Sequence, residues 1–347
     1  MDLFSMGTKE REKYSVEVKC SLLWESALGI AAITNHSLVE TLDLSKQNRE
    51  SIKKSLSKDM TEQLEYAQTH NTWKTLLQIL HQEDFKNLSS FIAYVRKLSP
   101  EELKSIAIPY LGKDKNIQRN GLVQGSKEAL SELQNFTKAN PFLPSYLEFI
   151  SKTNTEELKN HLIEVMSGWY KAVVEPEKEK LQSILSRDKN SKEKMIEKLE
   201  PEQFVEWATD GISYPPEPSV FKVILIPHYI YRPWNVQADL EGVKVFYYAV
   251  ANESISIDSK YVPNKMLVQR YKALGDENRL KILKMIKEKS LSLQELTDEL
   301  KMGKTTVHHH LKILKAARLV LPNSNKYSIN EEALTLLPKE LKLFLEN

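Results

Sequence analysis

From Val39 to about Val205, apolar residues recur at spacings of three and four, as in Leu76, Leu77 and Leu80 or in Leu158, Leu162, Val165 and Met166. One apolar stripe per segment at that period predicts a succession of amphipathic helices. Their starts carry cap chemistry. Ser99-Pro100-Glu101-Glu102 puts a hydroxyl before a proline at a first helical position, and Thr153-Asn154-Thr155-Glu156-Glu157 supplies capping groups followed by acids. Glycine and polar residues between Lys113 and Ser126 predict an exposed loop. Two regions break the helical period. Val16, Val18 and Cys20 alternate with Ser15, Glu17 and Lys19, the pattern of a half-buried strand, and a helix from Leu22 to Ile33 is expected next. Tyr214-Pro215-Pro216-Glu217-Pro218 cannot continue a helix. Beyond it, Val220–Ile226, Val243–Val250 and Ser254–Asp258 are rich in β-branched and aromatic residues and bounded by Pro227, Pro233, Gly242 and Asn252-Glu253, so they predict strands. A lone hairpin is marginal in water, so one small sheet is expected, with the distant strand at Val16 and Val18 a candidate to join it. The two ends of a helical domain spanning residues 1–262 would then meet.

After the short linker Tyr261-Val262-Pro263-Asn264 the pattern changes again. Asp276 opens a helix carrying Leu280, Ile282, Leu283 and Ile286. Ser292 and Glu295 form a capping box for a second helix with Leu293, Leu296 and Leu300. A short glycine turn, Met302-Gly303-Lys304, leads to a third helix from Thr305 to Ala317 that buries Val307, Leu311 and Leu314. Its other face shows Thr305, Thr306, His308, His309 and Lys312. Two helices joined by a tight turn, the second presenting hydroxyls, imidazoles and a lysine, suit entry into the DNA major groove. Leu319–Leu321 and Lys326–Ile329 around Pro322-Asn323-Ser324-Asn325 predict a β-hairpin, the wing.

Charge sharpens this picture. The chain has 49 basic and 47 acidic residues, a net of +2, which on average announces no polyanionic partner. Residues 264–326, however, hold fourteen basic and six acidic side chains, a net of +8, so the remainder is −6. A compact basic module is the electrostatic footprint of phosphate binding. Glycine is scarce, 10 of 347, which argues against turn-rich sandwiches and barrels. A single cysteine, Cys20, excludes a disulfide framework and a thiolate zinc cluster. The polar N-terminus lacks the apolar core of a signal peptide, and Leu22–Ile33 is too short to span a bilayer, so a cytoplasmic protein without membrane contact is expected.

Three separated stretches carry a family likeness: Leu274-Gly275-Asp276-Glu277-Asn278-Arg279-Leu280-Lys281-Ile282-Leu283, Leu293-Gln294-Glu295-Leu296, and Thr305-Thr306-Val307-His308-His309-His310-Leu311-Lys312-Ile313-Leu314. Together they resemble the ArsR-type winged-helix transcriptional regulators, over residues 266–329. The resemblance implies that the helix holding Lys304 through Lys312 is the recognition helix of a homodimer on palindromic DNA. It does not imply metal sensing. Arsenic and cadmium sensors of the family carry paired cysteines where this chain has Thr297-Asp298, and zinc-sensing variants use histidines on the last helix, whereas Glu331–Asn347 has none. Arg318 stands where the family usually ends the recognition helix with glycine. In the triplet His308-His309-His310, successive residues point about 100° apart, so a packing and DNA-facing role is favoured over a metal site. No cofactor is implied.

The first 260 residues contain no glycine-rich phosphate loop, no HExxH and no GxSxG, so no enzyme is expected. Their most distinctive stretch is Pro227-His228-Tyr229-Ile230-Tyr231-Arg232-Pro233-Trp234. His228, Tyr231, Arg232 and Trp234 could line a ligand pocket, since they combine stacking surface with anion recognition; the plainer alternative is a loop packed over the sheet by its rings. Leu334, Leu337, Leu341 and Phe344 could serve a dimer helix or cover the winged helix.

The expected fold is mainly α: a large N-terminal helical domain with a small β-sheet over residues 1–262, α+β in class, followed by a winged helix-turn-helix over 263–347. The expected function is a DNA-binding transcriptional regulator, a homodimeric repressor of double-stranded DNA targets. Its contacts are Lys304, Thr305, Thr306, His308, His309, Lys312 and Lys326, and the N-terminal domain is open to a small-molecule effector. The competing reading makes the N-terminal domain an enzyme or interaction module and gives the winged helix protein contacts.

Overall fold

The structure, a computed structural model, describes residues 13–255, 261, 263–323 and 325–346. It divides into two compact units, residues 1–201 with 215–250 and residues 202–214 with 251–347. The second unit takes in residues 202–214 and 251–262, which the sequence pattern alone attaches to the N-terminal part.

In the first unit, β1 (Ser15–Val18) joins β2 (Lys222–His228) in parallel, with Ser15 opposite Lys222 across more than two hundred residues of chain. β2 also pairs in parallel with β4 (Val243–Ala249), and β3 (Val236–Leu240) completes an antiparallel hairpin with β4, giving the order β1-β2-β4-β3. The hairpin turns at Glu241-Gly242, where Gly242 takes φ 73, a conformation that a Cβ disfavours. From Val223 to His228 every residue of β2 is buried, which explains an unbroken apolar run in place of alternation. β3 escapes the sequence pattern because it is an edge strand in which polar Gln237 and Asp239 alternate with half-buried residues.

Helix α1 (Leu22–Thr34) starts at Ser21, whose hydroxyl accepts the Leu23 N–H, and is buried on nearly every face. Its one carboxylate, Glu25, accepts the N–H groups of Tyr229 and Ile230 at 2.8 and 2.7 Å, so the end of β2 is tied to α1. Burial pushes the Glu25 carboxyl up to about 7 against the opposing pull of these two donors. Helices α2 (Trp73–Ile79) and α3 (Thr155–Trp169) belong to the helical layer. α3 begins where the cap signal predicts, with Asn154 accepting from Glu156 and Glu157. Two local expectations fail. Residues 113–126 are not a loop: a short turn at Lys113–Lys115 leads into a helix at Asn116–Val123, stabilised by the burial of Leu122. Ser254 and Ile255 lie in a helical turn, Asn252–Ile255, and the rest of that predicted strand lies outside the described residues.

The second unit contains α4 (Pro201–Ala208) beyond its first residue, then α5 (Lys265–Leu274), α6 (Glu277–Glu288), α7 (Leu293–Leu300), α8 (Lys304–Ala316) and α9 (Glu331–Glu346). A three-stranded sheet, β5 (Leu291–Ser292), β7 (Lys326–Ile329) and β6 (Val320–Asn323), forms the wing in the order β5-β7-β6. Ile282, Leu283, Ile286, Leu296, Val307, Leu311, Leu314 and Ala333 meet in one core. This is a winged helix-turn-helix, and the protein is α+β overall. α9 turns Ala333, Leu336 and Leu337 into the unit. Arg270 of α5, 1% exposed, reaches Glu340 of α9 at 2.9 Å and Glu206 of α4 at 3.6 Å, so one buried cation bolts three helices together.

Candidate nucleic-acid interface

The helix-turn-helix is assembled from caps. Asp276 accepts the Arg279 N–H at 3.0 Å to start α6, and this bond, helped by the charges of Arg279 and His310, holds the Asp276 carboxyl below its ordinary range. Ser292 and Glu295 exchange both bonds of a capping box at the start of α7. α7 ends at Lys301 with φ 53, and Gly303, at φ −64, caps α8 with an ordinary backbone conformation. The left-handed residue of the turn is therefore the lysine, not the glycine.

Along α8, Val307, His310, Leu311 and Leu314 are buried at spacings of three and four, which turns the opposite stripe outward. Lys304, Thr305, Thr306, His308, His309 and Lys312 are all exposed. The structure thus brings six of the seven sequence-selected DNA contacts onto one helix. His310 is 8% exposed and faces the core beside Asp276, its Nδ1 3.8 Å from the carboxylate, while His308 and His309 face solvent. Three neighbouring imidazoles therefore do not converge. The seventh residue, Lys326, sits on β7 3.8 Å from Glu295, an exposed pairing weak enough to be exchanged for another anion. Lys315 was missed by the sequence analysis. It is exposed three residues after Lys312, and its spacing was the available signal.

Ion pairing distributes the charge of this unit unevenly. Arg270, Arg279, Lys281, Lys284, Lys287 and Lys326 each have an acidic partner inside the unit. Among the described residues, no carboxylate comes within 4.0 Å of Lys301, Lys304, Lys312 or Lys315. The same holds of Lys272, Lys289 and Lys339 elsewhere in the unit, so four of these seven lysines lie on the turn and the outer face of α8.

Of the four residues selected as a ligand pocket in the first unit, His228 and Tyr231 keep an edge-on ring contact, centroids 6.0 Å apart, while Arg232 and Trp234 turn to other partners. His228 is fully buried at the end of β2, its ring nitrogens facing the Trp234 and Tyr247 backbones without a well-formed hydrogen bond, and burial pushes it down to about 3. Arg232 lies 3.6 Å from Asp43, and Trp234, 45% exposed, donates its indole N–H to Thr41 at 2.8 Å. Only Tyr231 lines the cavity of about 450 Å³ beside this loop.

A family model for bacterial regulatory proteins of the arsR family matches residues 276–321, from the cap of α6 into β6. An uncharacterized HTH-type transcriptional regulator of Methanocaldococcus jannaschii is 47% identical over 51 residues, a match that covers 14% of this chain and 57% of that relative. No solved structure matches. The family match and the geometry agree on an ArsR-type helix-turn-helix in the second unit, preceded by a long N-terminal region. No described helix is long and apolar enough to cross a membrane.

Proposed function

We propose that the chain is a DNA-binding transcriptional regulator of the cytoplasm that acts as a homodimeric repressor, with α8 as its recognition helix and the first unit as a sensing domain. The observation that carries this reading is the outer face of α8, where Thr305, Thr306, His308 and His309 stand among Lys304, Lys312 and Lys315 without internal carboxylate partners. Hydroxyls and imidazoles bond base edges, and unpaired lysines displace counterions from phosphates. Lys326 adds a wing contact by leaving Glu295.

The test is operator binding across a salt series. Thr306, His309 and Lys312 are exposed, so their replacement by Ala leaves the core of the unit intact. The triple variant should keep its melting temperature and lose specific affinity. Lys312→Ala alone should flatten the slope of log affinity against log salt by about 0.9 per half-site, one phosphate contact each. Unchanged operator affinity in the triple variant would overturn the assignment.

A further inference from the structure

The cavity beside Tyr231 lies wholly within the first unit, between the end of α1, the start of α2, the loop at Pro141-Phe142, and strands β3 and β4. At about 450 Å³ it has the size of ordinary small-molecule sites. Its walls set rings and aliphatic groups, Trp73, Phe142, Tyr231 and Leu77, beside amides such as Asn35 and Gln78. Trp73 is fixed by its indole N–H to Asn71 Oδ1 at 3.3 Å, and the Tyr231 hydroxyl is bonded to Asn35, so the walls are set before any ligand arrives. On the floor, His81 Nε2 and the Tyr247 hydroxyl share a hydrogen bond of 2.7 Å.

One formal charge faces this space. Lys74, on the first turn of α2, places its ammonium 5.8 Å over the Phe142 ring, and none of the described lining residues is a carboxylate. Asp239, the acid whose charge acts on it, is held by Lys244 at 2.8 Å and does not come within salt-bridge distance of Lys74. Burial lowers the Lys74 ammonium to about 8, against a smaller opposing pull from Asp239. His81, pushed down to about 3 first by burial and then by Lys19, stays neutral and does not compete for an anion. A half-buried ammonium in a preformed pocket that offers it no carboxylate is costly to the empty protein, and an anion of the right shape removes that cost.

We propose that this cavity binds a small organic anion, a monocarboxylate on a ring-bearing body, with its charge on Lys74 and its ring between Trp73, Phe142 and Tyr231. A single ammonium among amide groups matches one negative charge; a phosphate dianion calls for further cations or a cluster of backbone N–H groups. That filling the site alters operator affinity rests on the regulator reading above.

The test uses the full chain and three acids, benzoate, phenylacetate and indole-3-acetate, each against its uncharged amide, by calorimetric titration. At least one acid should bind saturably, about tenfold more tightly than its amide, the worth of one charge-assisted contact. Lys74→Met should abolish that preference, leave amide binding unchanged, and hold or raise the melting temperature. Failure of all three acids to bind, equal binding of acid and amide, or an undiminished preference in Lys74→Met would overturn the site. Binding of the acid with operator affinity unchanged would overturn the effector role. Absence of operator binding in both the ligand-free and the acid-saturated protein would overturn the regulator reading and leave the site standing.

Discussion

Arg270 offers the sharpest test of how the second unit is held together. Its guanidinium is 2.9 Å from Glu340 and 3.6 Å from Glu206, and all three side chains are at least nine-tenths buried. At an effective dielectric of ~20, these two contacts amount to about 6 and about 5 kcal/mol of gross attraction. Desolvation of three ions offsets most of that, so the net worth of the triad is small. Removing the cation is a different matter. Arg270→Met returns only the desolvation of one ion and leaves two carboxylates buried near each other, a loss of about 3–5 kcal/mol. For a unit of about 100 residues this lowers the melting temperature by about 15 °C or more. Native-state hydrogen exchange at the Leu311 and Leu314 amides of α8 reads the loss in this unit alone. Replacing all three residues by apolar ones of similar volume should restore most of it. A loss below about 1 kcal/mol, or a triple apolar variant as unstable as Arg270→Met, would refute the argument.

Glu25, raised by burial from 4.5 to about 7, holds more protons folded than unfolded between those values, so its contribution to stability is full below about pH 4.5 and is lost as pH rises through 7. The stability difference between the wild type and Glu25→Gln, measured by urea unfolding, should therefore grow in favour of the wild type between pH 8 and pH 5; a flat difference speaks against the shift. Gly211 has φ +106, and a Cβ there would meet the Arg318 guanidinium, so Gly211→Ala should destabilise the second unit by about 1–3 kcal/mol. Adding Arg318→Gly should recover only part, because backbone strain remains; complete recovery in calorimetry would show the clash to be the whole cost. Ser292→Ala should lose about 1 kcal/mol by removing one half of the α7 capping box, and circular dichroism melts showing no loss would count against that box.

The winged helix was legible because its signals agree at every level. Asp276 and Ser292 mark the starts of α6 and α7, and Val307, Leu311 and Leu314 fix which face of α8 turns inward. Arg318 adopts φ 55, the left-handed conformation that its place after the recognition helix requires. What tertiary packing decides was less visible. Lys301, not Gly303, takes the left-handed conformation of the turn, although glycine is the residue for which it is easiest. The residues from His228 to Trp234 are neighbours in sequence, but only His228 and Tyr231 stay in ring contact: the strand carries His228 inward, Arg232 turns to Asp43, and Trp234 reaches Thr41 on the surface. Lys74 carried no signal, since a lysine on an amphipathic helix is ordinarily solvated, and only the Phe142 loop and the edge strand β3 enclose it.

Energetics also constrain how a ligand at Lys74 could control DNA binding. An anion present at a hundred times its dissociation constant, and bound by one conformation alone, shifts an equilibrium by about 2.7 kcal/mol. Moving a regulator from 1:99 to 99:1 takes about 5.5 kcal/mol. One site therefore supplies half of a full switch. Two copies of the chain, each filling its own cavity and committed to the same change, supply about 5.4 kcal/mol at that ligand level. The homodimer proposed above would then serve regulation as well as half-site recognition. A monomeric form of the protein should show at most about a hundredfold response to its ligand, and the dimer about its square.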